Sequence, residues 1–153
     1  MALTRDEFVA TCNDKLKLVR VEFGLTQEAM AYTIGLSKKT LVDIEKGRRT
    51  LGWMGAVALC SIFQDSDVIA STFGGVPTDM ILALAADAKV FQHRTVHGSR
   101  VWWTPIAQND RYTIQQNVIS QHYRLIDANK MRVASAFSLD DLLPIFNGGP
   151  NEG

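Results

Sequence analysis

Residues 27–47, QEAMAYTIGLSKKTLVDIEKG, constrain this chain more than any other stretch, because their punctuation suits two short helices joined by a tight turn. Thr26 offers a hydroxyl to the free N–H groups at the start of the first helix, which is expected to run through Ile34 with Ala31 at the point where the two helices touch. Gly35 accepts the positive φ that a sharp turn between helices demands. Ser37 caps the second helix and Gly47 ends it. Leu36, Leu41 and Ile44 fall on its inner side, which leaves Lys38, Lys39, Thr40, Asp43 and Lys46 outside and free to meet a partner.

Two helices in this arrangement form a helix-turn-helix, and an outer surface of this composition suits a DNA groove. Gly24, Thr26, Gln27, Ala31, Gly35, Ser37, Ile44, Glu45 and Gly47, within GLTQEAMAYTIGLSKKTLVDIEKGRR, resemble the DNA-binding domain of the Cro and phage-repressor (xenobiotic-response-element) regulators, over residues 13–65 once flanking helices are included. The resemblance implies that Gln27 approaches the DNA backbone, that Lys38, Lys39 and Thr40 face bases, and that Lys46, Arg48 and Arg49 neutralise phosphates. A lysine suits the O6/N7 edge of guanine and Thr40 a thymine methyl. Asp43 departs from the family pattern at a base-facing position; it either accepts from a cytosine amine or disfavours nonspecific phosphate contact. The resemblance also implies a structural ion pair between Arg20 and Glu45, holding the first helix of the domain against the recognition helix.

Zero net charge over 153 residues argues at first against a nucleic-acid partner. The sum hides a local excess. Between 38 and 49, Lys38, Lys39, Lys46, Arg48 and Arg49 oppose only Asp43 and Glu45. The 46% hydrophobic content allows real cores, and no uncharged apolar run reaches the length of about 18 residues needed to span a bilayer. The first fifteen residues hold no export-type apolar segment, so a cytoplasmic location without membrane association is expected. Cys12 and Cys60 lie in helical patterns and read as buried free thiols.

Along the chain, Thr4 and Glu7 form a capping box that opens a helix to Phe23, with Phe8, Cys12, Leu16, Val19 and Phe23 at helical spacing beneath the central motif. An apolar helix over 52–63 is expected to begin irregularly because Gly52 and Gly55 share its first turn, and a shorter one follows from Ser66 to Gly74. Gly74, Gly75 and Pro77 mark a domain boundary, after which Thr78 caps a helix over 79–89. A hairpin is expected from 90–96 and 100–106, with Pro105 confining the second run to an edge. Residues 112–126 read as one long strand broken in phase near Val118 by a bulge or bend. A turn at 127–130 leads to a strand over 131–137, then a last helix from Ser138 that Pro144 keeps short. The expected fold class is therefore α+β. An all-α five-helix DNA-binding domain (1–75) precedes a small antiparallel β-sheet domain with flanking helices (76–146) and a flexible tail (147–153).

For residues 78–153 no family resemblance is recognised. His93, His97 and His122 lack a Cys or acidic companion, so no metal is assigned, and no cofactor is implied. Trp102 and Trp103 point to opposite faces of a strand, and the amides of Gln115, Gln116, Asn117 and Gln121 form either a ligand-binding or a solvated face. Nucleophile elbow, phosphate loop and paired carboxylates are all missing, so no catalytic residue is assigned. The leading expectation is a dimeric repressor on palindromic double-stranded DNA, with a C-terminal unit that dimerises or senses a small-molecule or protein effector. The alternative is an antitoxin or phage-type interaction module that also regulates its own promoter; an enzyme tethered to DNA is a third reading.

Overall fold

Reciprocal hydrogen bonds between Thr4 and Glu7 close the box at the head of α1 (Arg5–Glu22), with the Glu7 N–H on the Thr4 hydroxyl and the Thr4 N–H on Glu7 Oε2. These and the following observations come from a computed structural model, which describes residues 2–86 and 102–148. α1 leads to α2 (Gln27–Ile34), α3 (Lys38–Glu45), α4 (Gly52–Ile62), α5 (Asp67–Phe73) and α6 (Thr78–Ala86). Phe8, Cys12, Leu16 and Val19 line one side of α1 and are buried against Met30, Leu41, Leu59 and Ile69 from the helices around it. Each large apolar side chain removed from water in this way contributes about 1.5 to 3 kcal/mol. Phe23, expected in the same row, is instead the cap residue of α1, partly exposed, with its ring 4.9 Å from that of Phe63.

Gly52 takes a φ of 68° and Leu51 before it is already helical with no side-chain cap, the irregular start that two glycines in one turn favour. Ser66 caps α5 through its hydroxyl, which also donates 2.5 Å to Glu22 on α1. α6 was assigned to the second domain from sequence, yet it packs on the first core through Met80, Ile81 and Leu84. Arg5 holds its C-terminal end by donating to the carbonyls of Leu84 and Ala85 at 3.0 and 3.1 Å. The helix begins at Thr78 itself, the Ile81 N–H bonding the Pro77 carbonyl.

The described residues belong to two compact units, one within 1–94 and the other within 95–153. The second holds a four-stranded antiparallel meander, β1 (Trp103–Gln108), β2 (Tyr112–Asn117), β3 (Tyr123–Asp127) and β4 (Arg132–Ala136), followed by α7 (Leu139–Phe146). The first arm of the hairpin expected over 90–106 lies outside the described residues. Pro105 sits at a register shift in β1, where a residue without an N–H costs the ladder least. Residues 112–126 form two strands and not one bent strand. Asn117 Oδ1 accepts from the N–H groups of Ile119 and Ser120, and Gln121 takes a φ of 63°, so the phase break is a hairpin turn. Ile114 and Leu125, paired across β2 and β3, are buried against Leu142 of α7. Pro144 lies inside α7, which ends two residues later at Phe146 and is short, as expected.

The α+β class is thus realised, with seven helices and a four-stranded antiparallel sheet among the described residues. Among them no single helix is long and apolar enough to cross a membrane.

Candidate nucleic-acid interface

α2 and α3 take their shape from three short-range devices. Thr26 Oγ1 accepts from the Ala29 N–H, and Ser37 Oγ from the Thr40 N–H, so each helix starts with a satisfied donor. Between them Gly35 adopts a φ of 88°, and the N–H groups of Gly35 and Leu36 both return to the Ala31 carbonyl. A side chain at Gly35 would strain that conformation.

Behind this corner lies an ionic lock. Arg20 of α1 donates Nε to Glu45 Oε1 at 2.5 Å and Nη2 to Oε2 at 3.3 Å, and its Nη1 reaches the Leu25 carbonyl at 3.1 Å. Gln27 Nε2 donates to Oε2 of the same carboxylate at 2.9 Å. The pair is well shielded, with 14% of the Arg20 side chain and 5% of the Glu45 side chain exposed. Burial alone would raise the Glu45 pKa; the hydrogen bonds from Arg20 and Gln27, with the Arg20 charge, outweigh it and hold the carboxyl below its ordinary value. Gln27 thus has a structural role besides the one expected. One of its two amide hydrogens serves Glu45 and ties α2 to α3.

Leu41 and Ile44 are buried under α3, which fixes the helix's rotation. Lys38 and Lys39 in its first turn are exposed, as are Lys46, Arg48 and Arg49 at and beyond its last. Thr40 and Asp43 are half-buried for a specific reason: the chain after α3 folds back over them. The N–H groups of Arg48 and Arg49 donate to the Asp43 carbonyl at 2.8 and 3.3 Å. Their guanidinium groups lie 3.9 and 4.0 Å from its carboxylate, and Arg49 Nη1 also donates to Thr40 Oγ1. Sequence reading missed this cluster because the contacts cross a loop; the signal was an acid on an otherwise basic face, five and six residues ahead of two arginines.

Comparison with known proteins bears on this corner of the chain. The family model described as Helix-turn-helix matches residues 16–52, which span the end of α1, α2, α3 and the loop to α4. An uncharacterised HTH-type transcriptional regulator of Bacillus subtilis, YgzD, is 33% identical over 51 residues, covering 33% of this chain and 77% of the relative. The chain belongs to the Cro and phage-repressor type of helix-turn-helix family. No solved structure matches it.

For a helix-turn-helix protein the distribution of charge around α3 is legible. Cations stand at both ends of the helix, and the one acid on its outer side is occupied by two of them. In the second unit, His122 meets Ser120 and Trp103, whereas His93 and His97 lie outside the described residues. Trp102 is partly exposed, while Trp103 stacks against Arg124, a residue the sequence reading did not single out.

Proposed function

We propose that this protein is a sequence-specific DNA-binding regulator of transcription, a dimeric repressor that lays α3 in the major groove. The observation that carries the reading is the exposure of Lys38 and Lys39 on a helix whose rotation is fixed by buried Leu41 and Ile44. In this docking mode the N-terminal residues of the second helix meet base edges. Lys38 and Lys39 then read bases, with the Thr40 methyl beside them, and Lys46, Arg48 and Arg49 take phosphates. Gln27 approaches the backbone with its second amide hydrogen. Asp43 is less a base reader than a holder of Arg48 and Arg49, which exchange its carboxylate for phosphate on binding.

A single helix of this size reads only a few base pairs, so two copies acting in successive major grooves, about 34 Å apart, supply the affinity. The second unit then dimerises the protein or senses an effector, a small molecule or a protein. Selection of bound sequences from random DNA by the full chain tests this reading. An inverted repeat with half-site centres about 10 base pairs apart is expected; a monomer saturating one isolated half-site would refute the dimer, and the absence of any enriched sequence would refute specific recognition.

Removing one charge at a time separates the assigned roles further. Arg48→Ala should weaken binding to all sequences alike and flatten the dependence of log K on log salt by about 0.9. Asp43→Asn should do the opposite, raising affinity for operator and random DNA together by about 1.5- to 5-fold, the range of an exposed ion pair. A change in sequence preference for Asp43→Asn, found by the same selection, would return Asp43 to the base-reading set.

A further inference from the structure

α7 covers one face of the sheet, where Ile114 and Leu125 are buried with Leu142. Side chains alternate along a strand, so the residues between them point to the opposite face. The pairing of Pro105 with Gln115, of Gln115 with Arg124 and of Arg124 with Ser135 draws one row across that face, and Trp103 lies two residues along from Pro105.

Arg124 is held there in a defined orientation. Its guanidinium carbon lies 3.8 Å from the centre of the Trp103 ring, and its Nε donates to Gln115 Oε1 at 2.9 Å. Stacking fixes the plane of the group and the hydrogen bond fixes its rotation within that plane. One of five N–H donors is thereby used, and the two terminal NH2 groups form a planar fork. Among the described residues no carboxylate pairs with Arg124. Burial first, and then the like charge of Arg132, lower its pKa. An uncompensated and preoriented guanidinium favours an anion from outside.

Aromatic surface adjoins it. The His122 ring meets Trp103 edge-on at 5.0 Å and Phe137 at 5.9 Å, and Phe137 is 79% exposed. A single fork beside a single exposed aromatic shelf matches a small ligand better than a polymer, which needs cations repeated along its backbone.

We propose that this face binds a small planar aromatic anion, an aromatic carboxylate or a nucleotide, whose acid group takes paired hydrogen bonds from Arg124 while its ring lies on His122 and Phe137. Within the proposed function this names the effector class of the sensing unit, and it rests on that reading only for its regulatory meaning.

The full chain is titrated with salicylate and with adenosine monophosphate, and with acetate and inorganic phosphate as ring-free controls, following tryptophan fluorescence. One aromatic probe should bind about tenfold or more tightly than its ring-free control, and which of the two does so tells carboxylate from phosphate. Arg124→Gln should lose about tenfold of that affinity. Phe137→Ala, at an exposed position that leaves folding intact, should lose about 2- to 10-fold. Failure of both aromatic probes to bind at millimolar concentration, or equal binding by Phe137→Ala, would overturn the site. So would tighter binding of oligothymidine than of the mononucleotide, or a dimer in which the probe and a second copy compete for this face. Affinity for the selected operator is then measured with and without saturating probe. Binding that leaves operator affinity unchanged keeps the site and removes the sensing role.

Discussion

Glu45→Ala is expected to cost about 3 to 5 kcal/mol of folding free energy, because removing one member of a buried ion pair strands the other. Arg20 would keep the Leu25 carbonyl as its one acceptor, and Gln27 would lose its bond to α3. Three helices meet at that carboxylate: Arg20 belongs to α1, Gln27 to α2 and Glu45 to α3. Its pH dependence has a definite sign. The folded-state pKa of Glu45 lies below its ordinary value of 4.5, so the unfolded chain binds this proton more readily than the folded one. The stability that Glu45 contributes is complete above that ordinary value and is lost as pH falls through the folded-state pKa. Melting temperatures of the wild type and of Glu45→Ala should therefore converge on acidification from pH 7 toward about pH 3. A constant gap between the two over that range would show that the carboxylate's charge contributes nothing.

Local chemistry explains how much of this was legible in the sequence. Caps are short-range, and Thr4, Thr26, Ser37 and Ser66 each cap the helix expected to follow them. The class and the family were equally readable, because the helix-turn-helix places its glycines, its small contact residue and its caps within a few turns of one another. Residues 112–126 were misread as one strand because the hairpin turn holds Val118 and Ile119, apolar residues that continue the strand pattern; the deciding contact is the Asn117 side chain bonding backbone two and three residues on. α6 was misassigned for a related reason. An all-apolar helix says that it will be buried but not against which core, and the Arg5 contacts that retain it span about 80 positions. Asp43 and Arg124 show the same limit at the positions given roles in the proposals above. Each is an ordinary charged residue until the fold supplies Arg48 and Arg49 to the first and Trp103 and Gln115 to the second.

Leu41→Ala should cost about 2 to 5 kcal/mol of stability, since truncation of a fully buried leucine removes its transfer energy and leaves a cavity that neighbours fill only in part. Leu41 is wholly inaccessible and shares the core with Leu16 and Val19 of α1 and Met30 of α2. It is also, with Ile44, what sets which side of α3 looks outward. Lys39, two positions earlier, is exposed, with no hydrogen bond or ion pair among the described residues. Lys39→Ala should consequently leave thermal stability nearly unchanged. If Lys39 reads a base, the same substitution narrows the gap between operator and random DNA by about 1 to 3 kcal/mol. Measured together, the two variants separate the burial of α3 from its recognition. A Leu41 variant of full stability would mean that the helix is rotated differently, and a Lys39 variant with undiminished specificity would mean that the reading edge of α3 lies elsewhere.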